Sequence, residues 1–168
     1  MENYICKIAT RDELISRWDY LINIHPGKDE WKRFKEMALK NYDENNSISY
    51  LGFLNNKSIC EITVYIKEEA FIGDIDDSSG LLNDNMAYLA AFRTDKEYEG
   101  NGYFKKLYNF VENDLIKKGY IEACLGVEPR EVRNIQIYFH LGFKEYIKTI
   151  IQYNPNEEVV NFYKKKIK

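Results

Sequence analysis

The chain has 168 residues, 45% of them hydrophobic and 30% charged, which suits one globular domain spanning residues 1–168. Its formal net charge of −3 gives no global field toward nucleic acid or anionic lipid, and no apolar run approaches the length of a membrane span. Cys6, Cys60 and Cys124 are odd in number with no CxxC pair, His25 and His140 are too few to suggest a metal site, and the N-terminus lacks a secretion signature; the thiols read as reduced, in a cytoplasmic protein.

The elements alternate between strand and helix. Tyr4 to Ala9 reads as a first strand. Thr10 with Glu13 looks like a capping box that opens a helix to about Ile24. His25-Pro26-Gly27 reads as a turn, and Asp29 to Tyr42 as a second helix with Trp31, Phe34, Met37 and Ala38 on its apolar side. Ser47 to Leu54 and Ser58 to Ile66 read as a hairpin around Asn55-Asn56-Lys57. In its second strand Cys60, Ile62, Val64 and Ile66 share one face, and Glu61, Thr63 and Tyr65 the other. Glu68 to Asn85 is acidic and reads as a surface loop.

Met86 to Phe92 is an apolar run that reads as a buried strand. Glu99-Gly100-Asn101-Gly102-Tyr103-Phe104 follows, then an amphipathic helix with Phe104, Leu107, Tyr108, Val111 and Leu115 on one stripe and Gly119 as its stop. A strand, a glycine turn and a helix start in series can cradle an anion, because free amides point outward and the helix dipole favours negative charge. Lys105 and Lys106 sit in the first helical turn, where a bound anion would offset their cost. Glu97 and Glu99 would repel an anion unless they point away. An ordinary strand-to-helix turn remains the alternative. A dinucleotide fingerprint would need a third glycine where Lys105 stands, and a Walker loop is absent.

Leu125-Gly126-Val127 reads as a strand, and Glu128-Pro129-Arg130 as the opening of a helix to about His140. Phe143 to Tyr153 and Val159 to Ile167 read as two closing strands around Asn154-Pro155-Asn156. Lys164-Lys165-Lys166 reads as a solvated strand end.

From Leu89 to Phe143 the sequence resembles the GCN5-related N-acetyltransferase (GNAT) superfamily. Glu97-Tyr98-Glu99-Gly100-Asn101-Gly102 is similar to the family string EYRGKG, within a loop written R/Q-x-x-G-x-G/A. Glu99 stands at the Arg/Gln position and Phe104 at the final Gly/Ala, so two signature positions depart and the central Gly102 agrees. Tyr138-Phe139-His140-Leu141-Gly142-Phe143 resembles the family's LYEKLGF. Where the family often has an Asn seven residues before its tyrosine, this chain has Glu131, with Asn134 three residues later.

The resemblance implies a mixed α/β fold, with a mostly antiparallel sheet of about six to seven strands flanked by about four helices. It also implies an acyltransferase: an N-acetyltransferase that uses acetyl-CoA as co-substrate and no metal. Phe92, Arg93 and Thr94 would bind pantetheine through their backbone. Glu99, Gly100, Asn101, Gly102, Tyr103, Phe104 and Lys105 would surround the pyrophosphate. Tyr138 would protonate the leaving thiolate, and Glu61 is a candidate base, with Tyr88 or a water chain as alternatives. The expected partner is a small-molecule or peptide amine, with neither nucleic acid nor membrane; a homodimer is compatible with the sequence. A non-catalytic acyl-CoA-binding sensor of the same fold is the other reading, kept open by Glu99 and Phe104.

Overall fold

A computed structural model describes residues 3–25, 29–153 and 156–168. After strand β1 (Tyr4–Ile8), helix α1 (Arg11–Ile24) opens on the capping box read from sequence. The Thr10 hydroxyl accepts from the Glu13 amide, and the Glu13 carboxylate accepts from the Thr10 amide at 2.9 Å. Each bond satisfies an amide that the helix start would otherwise leave unpaired. Helix α2 (Asp29–Asp43) packs Trp31, Phe34, Ala38 and Leu39 around Leu14, Trp18 and Leu21 of α1. Pro26 and Gly27 of the first predicted turn, and Asn154 and Pro155 of the last, lie outside the described residues.

Strands β2 (Ser47–Leu54) and β3 (Lys57–Tyr65) form the expected hairpin. Its two linking residues, Asn55 and Asn56, have φ of 48° and 69°. Both are left-handed, as the tightest hairpin turns require, and asparagine tolerates that conformation. The connection from β3 to β4 departs from the surface loop expected of it. Glu68–Phe71 forms one turn of 3-10 helix, and Ala70, Phe71 and Leu81 are buried. Phe71 sits edge-on to Tyr65 at 5.1 Å and against Tyr88 at 4.9 Å. Acidic neighbours mask these few apolar residues in the composition of the segment.

Strand β4 (Met86–Thr94), helix α3 (Tyr103–Lys117), strand β5 (Glu122–Val127), helix α4 (Val132–His140), strand β6 (Glu145–Tyr153) and strand β7 (Glu157–Lys166) complete the order. Helix α4 begins later than Pro129 suggested. Pro129 lies in a preceding turn closed by the Glu131 amide on the Glu128 carbonyl at 3.0 Å. The lysine run at the end of β7 is paired rather than merely solvated. Lys164 bridges Glu122 at 3.0 Å, and Lys165 meets Glu112 at 2.7 Å and the Leu141 carbonyl at 2.9 Å. These contacts follow from topology: β7 lies between β5 and β6, inside the sheet.

The seven strands lie in the order β1-β2-β3-β4-β5-β7-β6, and only β4 and β5 run parallel. Helices α3 and α4 cover one face, where Ile62, Val64, Leu107, Val111, Leu125 and Tyr138 share a core. Helices α1 and α2 cover the other through Ala9 and Leu51. The architecture is the mixed α/β class expected, with a mostly antiparallel sheet and four α-helices among the described residues. No helix among the described residues is long and apolar enough to cross a membrane.

Candidate functional site

The site begins where two parallel strands stop pairing. Strands β4 and β5 are in register only from Met86↔Glu122 to Tyr88↔Cys124. Beyond Tyr88 the β4 backbone keeps β3 on one side and has lost β5 on the other. A register shift between Glu61 and Thr63 marks a bulge in the β3–β4 ladder. Within it Ala91 has φ of 51°, a left-handed conformation that costs a non-glycine residue about 1–2 kcal/mol. Bulges re-aim a strand and concentrate beside functional sites.

A groove of about 370 Å³ fills the space between the freed end of β4, the glycine loop and α4. Phe92, Arg93, Thr94, Glu99, Gly100, Gly102, Tyr103, Phe104, Lys105 and Tyr138 all line it, so residues chosen from three sequence segments meet on one surface. Asn101 does not line it. Its side-chain amide donates back to the Tyr98 and Glu99 carbonyls at 3.2 Å each, holding the loop in shape. Four lining residues were not singled out for this role: Tyr98, Arg133, Asn134 and Ile137. Helical spacing was the available signal, since Asn134 precedes Tyr138 by four residues and shares its face.

The loop presents a helix start without a side-chain cap. Gly100 and Gly102 have φ of 79° and 80°, and Gly102 is the N-cap of α3. A Cβ at either position would find nothing within 4 Å, so conformation and outside space, not internal packing, favour glycine there. The Lys106 amide reaches back to the Gly102 carbonyl at 3.2 Å. The Phe104 and Lys105 amides have no acceptor among the described residues, which suits them to an anion. The two loop acids are diverted: Glu97 pairs with Lys57 at 2.9 Å, and Glu99 reaches across to Arg133 at 2.8 Å.

Tyr138 packs against Phe92, with ring centroids 5.1 Å apart, and Phe104 meets the same Phe92 ring edge-on at 5.8 Å. The Tyr138 hydroxyl has no hydrogen-bond partner among the described residues. Burial, then the nearby Glu131 charge, pushes its pKa well above the ordinary phenol value. It therefore keeps its proton at neutral pH. Glu61 is placed differently from the role of base expected of it. It is 4% exposed, lies outside the groove and is held between two arginines: Arg17 at 2.9 Å on one carboxylate oxygen, Arg93 on the other. Arg17 also bridges Asp95 at 2.8 Å and donates to the Ser58 carbonyl at 3.1 Å. Both Glu61 oxygens are thus engaged in a structural ion network that ties α1 to β3 and β4. Tyr88, the other base considered, is buried, and burial holds its pKa far above neutrality. No group of three or more His, Cys, Asp or Glu among the described residues could hold a metal ion.

The family model described as "Acetyltransferase (GNAT) family" matches residues 15–143. The chain belongs to the GNAT acetyltransferase family. Its fold agrees with solved GNAT-type structures at low identity. The aminoglycoside 6'-acetyltransferase type Ii aligns with TM-score 0.71 and 15% identity, covering 98% of this chain and 97% of that one. The Escherichia coli ribosomal-protein-S18-alanine N-acetyltransferase aligns with TM-score 0.67 and 16% identity, over 98% and 94%. The YncA acetyltransferase of Salmonella typhimurium, solved with its cofactor acetyl-CoA, aligns with TM-score 0.67 and 11% identity, over 99% and 95%. No curated protein matches by sequence.

This GNAT chain carries a second cavity, of about 150 Å³, next to the β4 bulge. Its walls include Trp18, Phe34 and Met37 from the first two helices, Tyr65 from β3, and Ala90, Ala91 and Arg93 from β4. Arg93 lines both spaces, so the bulged strand is the partition between them. Its guanidinium stacks over Trp18 at 5.1 Å and Trp31 at 5.3 Å.

Proposed function

We propose that residues 1–168 form one catalytic domain, an N-acetyltransferase that moves an acetyl group from acetyl-CoA to a primary amine by direct attack in a ternary complex. The observation that carries this reading is the groove itself. The freed β4 edge, the glycine loop and Tyr138 converge on it, within a chain of the GNAT family. Solved structures of this fold named for an aminoglycoside and for the alanine of ribosomal protein S18 support the amine.

The residues present suit acetyl-CoA. The edge of Phe92–Thr94 that no longer pairs with β5 offers hydrogen bonds to a pantetheine amide. Gly100 and Gly102 leave room for a pyrophosphate, and the Phe104 and Lys105 amides can donate to it. Lys105 and Arg133 add positive charge. Acetyl-CoA supplies the acyl group as an activated thioester. The chain's own part is mostly placement, which converts a bimolecular encounter into one within a bound pair. Phe92, Phe104 and Tyr138 give the groove an apolar aromatic wall. Tyr138 holds its proton at neutral pH and donates it at the departing sulfur. The amine loses its own proton through water, because Glu61 is sequestered by Arg17 and Arg93.

A thiol-release assay with acetyl-CoA and a panel of amines, amino acids and N-terminal peptides tests the proposal. Amine-dependent release of CoA is expected. Binding of acetyl-CoA with no turnover on any acceptor would favour the sensor reading instead.

A further inference from the structure

The second cavity holds a carboxylate with no ion pair among the described residues; the Arg93 and Arg33 charges reach it only without direct contact. Asp74 lies in the β3–β4 connection and lines this cavity beside Tyr65, Trp18 and the β4 bulge. Among the described residues its side chain accepts one hydrogen bond, from the Tyr65 hydroxyl at 2.8 Å. Among the described residues it makes no ion pair. The arginine nearest in the partition, Arg93, is spent on Glu61, while Arg17 is shared between Glu61 and Asp95. Two guanidiniums and two carboxylates therefore pair directly with one another, and Asp74 has no direct ionic contact among the described residues. A charge in an aromatic cavity without a partner is costly, and a cation removes that cost. Burial accordingly raises the Asp74 pKa above the usual carboxylate value.

The carboxylate is also fixed in place. Its amide donates to the Phe71 carbonyl at 2.9 Å, and its carbonyl accepts from the buried Gln152 side chain at 3.1 Å. The Gln152 side-chain oxygen accepts from the Asp76 amide at 3.2 Å. Phe71 anchors the same turn beneath Tyr65 and Tyr88. Preorganisation of this kind is what a binding group needs, since little ordering remains to be done on binding.

We propose that this cavity is the acceptor pocket and that Asp74 holds the ammonium group of a small primary amine with a compact apolar or aromatic body. The proposal rests on the acetyltransferase reading and names the acceptor class within it. A cavity of about 150 Å³ takes a molecule the size of benzene, and this one mixes aromatic walls with the polar groups of Asn41, Thr63 and Arg93. Trp18, Phe34 and Tyr65 supply matching aromatic walls, whose faces attract a cation. An aminoglycoside or long polyamine is too large to be enclosed.

The test is calorimetric titration of the full chain with benzylamine and, as a neutral isostere, benzyl alcohol; acetyl-CoA binding is measured separately. Benzylamine should bind the wild type, Asp74→Asn should weaken it at least tenfold, and benzyl alcohol should bind both proteins alike. Ala90→Leu, which fills the cavity and does not line the cofactor groove, should remove binding of both compounds and leave acetyl-CoA affinity within twofold. If Asp74→Asn does not fold, Ala90→Leu carries the test alone. Equal benzylamine affinity in wild type and either variant, or no binding of benzylamine to the wild type at millimolar concentration, would overturn the proposal. Acetyl-CoA binding without amine binding removes this pocket only, whereas absence of acetyl-CoA binding removes the acetyltransferase reading with it.

Discussion

Gly102→Asp probes the anion cradle most sharply, because the structure separates its effect on folding from its effect on binding. At φ of 80° an L side chain is strained, by about 1–2 kcal/mol, but aspartate is among the residues that tolerate this region. Its Cβ meets nothing within 4 Å, so no clash within the protein is added. The variant should fold. The new carboxylate would instead project from the N-cap of α3 into the mouth of the groove. If it lies about 5 Å from a pyrophosphate carrying two negative charges, the repulsion is about 1.7 kcal/mol even at the dielectric of bulk water. Each 1.4 kcal/mol is a factor of ten in affinity, so acetyl-CoA should bind at least tenfold more weakly. Gly102→Ala carries the backbone strain without the charge and should lose less. Isothermal calorimetry gives the affinities, and circular dichroism checks the fold. A folded Gly102→Asp protein that binds acetyl-CoA like wild type would place the phosphates elsewhere and refute the reasoning.

Other outcomes follow from the same geometry. Tyr138→Phe should lower kcat by roughly 10²-fold while leaving acetyl-CoA affinity nearly unchanged, since only the hydroxyl is lost; turnover on the best acceptor checks it. Glu99→Gln should tighten acetyl-CoA binding by about twofold to fivefold, because it frees Arg133 and removes a negative charge at the groove mouth, and Arg133→Gln should weaken binding by a similar factor. Both effects should shrink in high salt. Asp74→Asn should raise thermal stability at neutral pH: burial holds the folded carboxyl above its unfolded value, so the folded protein binds the extra proton and loses stability as pH rises past about 4. The gap in melting temperature between variant and wild type should therefore widen from pH 4 toward pH 7. Arg17→Met should destabilise by about 3–5 kcal/mol in chemical denaturation, because it leaves the buried carboxylates of Glu61 and Asp95 without their shared partner.

What could be read from the sequence was local. Thr10 and Glu13 are three residues apart and cap one helix; Asn55-Asn56 closes one hairpin; the α3 stripe lies within four turns. The groove proposed for the cofactor could be assembled from the sequence for the same reason, since the loop and the end of β4 are contiguous in the chain. The structure departs from the local reading where distant residues decide. Glu61 alternates correctly on its strand, but its partner Arg17 lies 44 residues away, so its sequestration left no local trace. The bulge at Ala91 depends on how β3 and β4 share a register. Phe71 and Leu81 were hidden by the acids around them, though they anchor the loop that brings Asp74 to the second cavity. Pro129 misled because a proline suits the turn before a helix as well as its first residue.

The central claim is that the groove between β4, the glycine loop and α4 receives acetyl-CoA. Titration of the isotope-labelled protein with acetyl-CoA, followed by amide NMR shifts, tests it directly. Saturable shifts should be largest at the amides of Gly100, Gly102, Phe104 and Lys105 and along Phe92–Thr94. A folded protein that shows no shifts, or shows them confined to α1, α2 and the edge strands, would contradict the account.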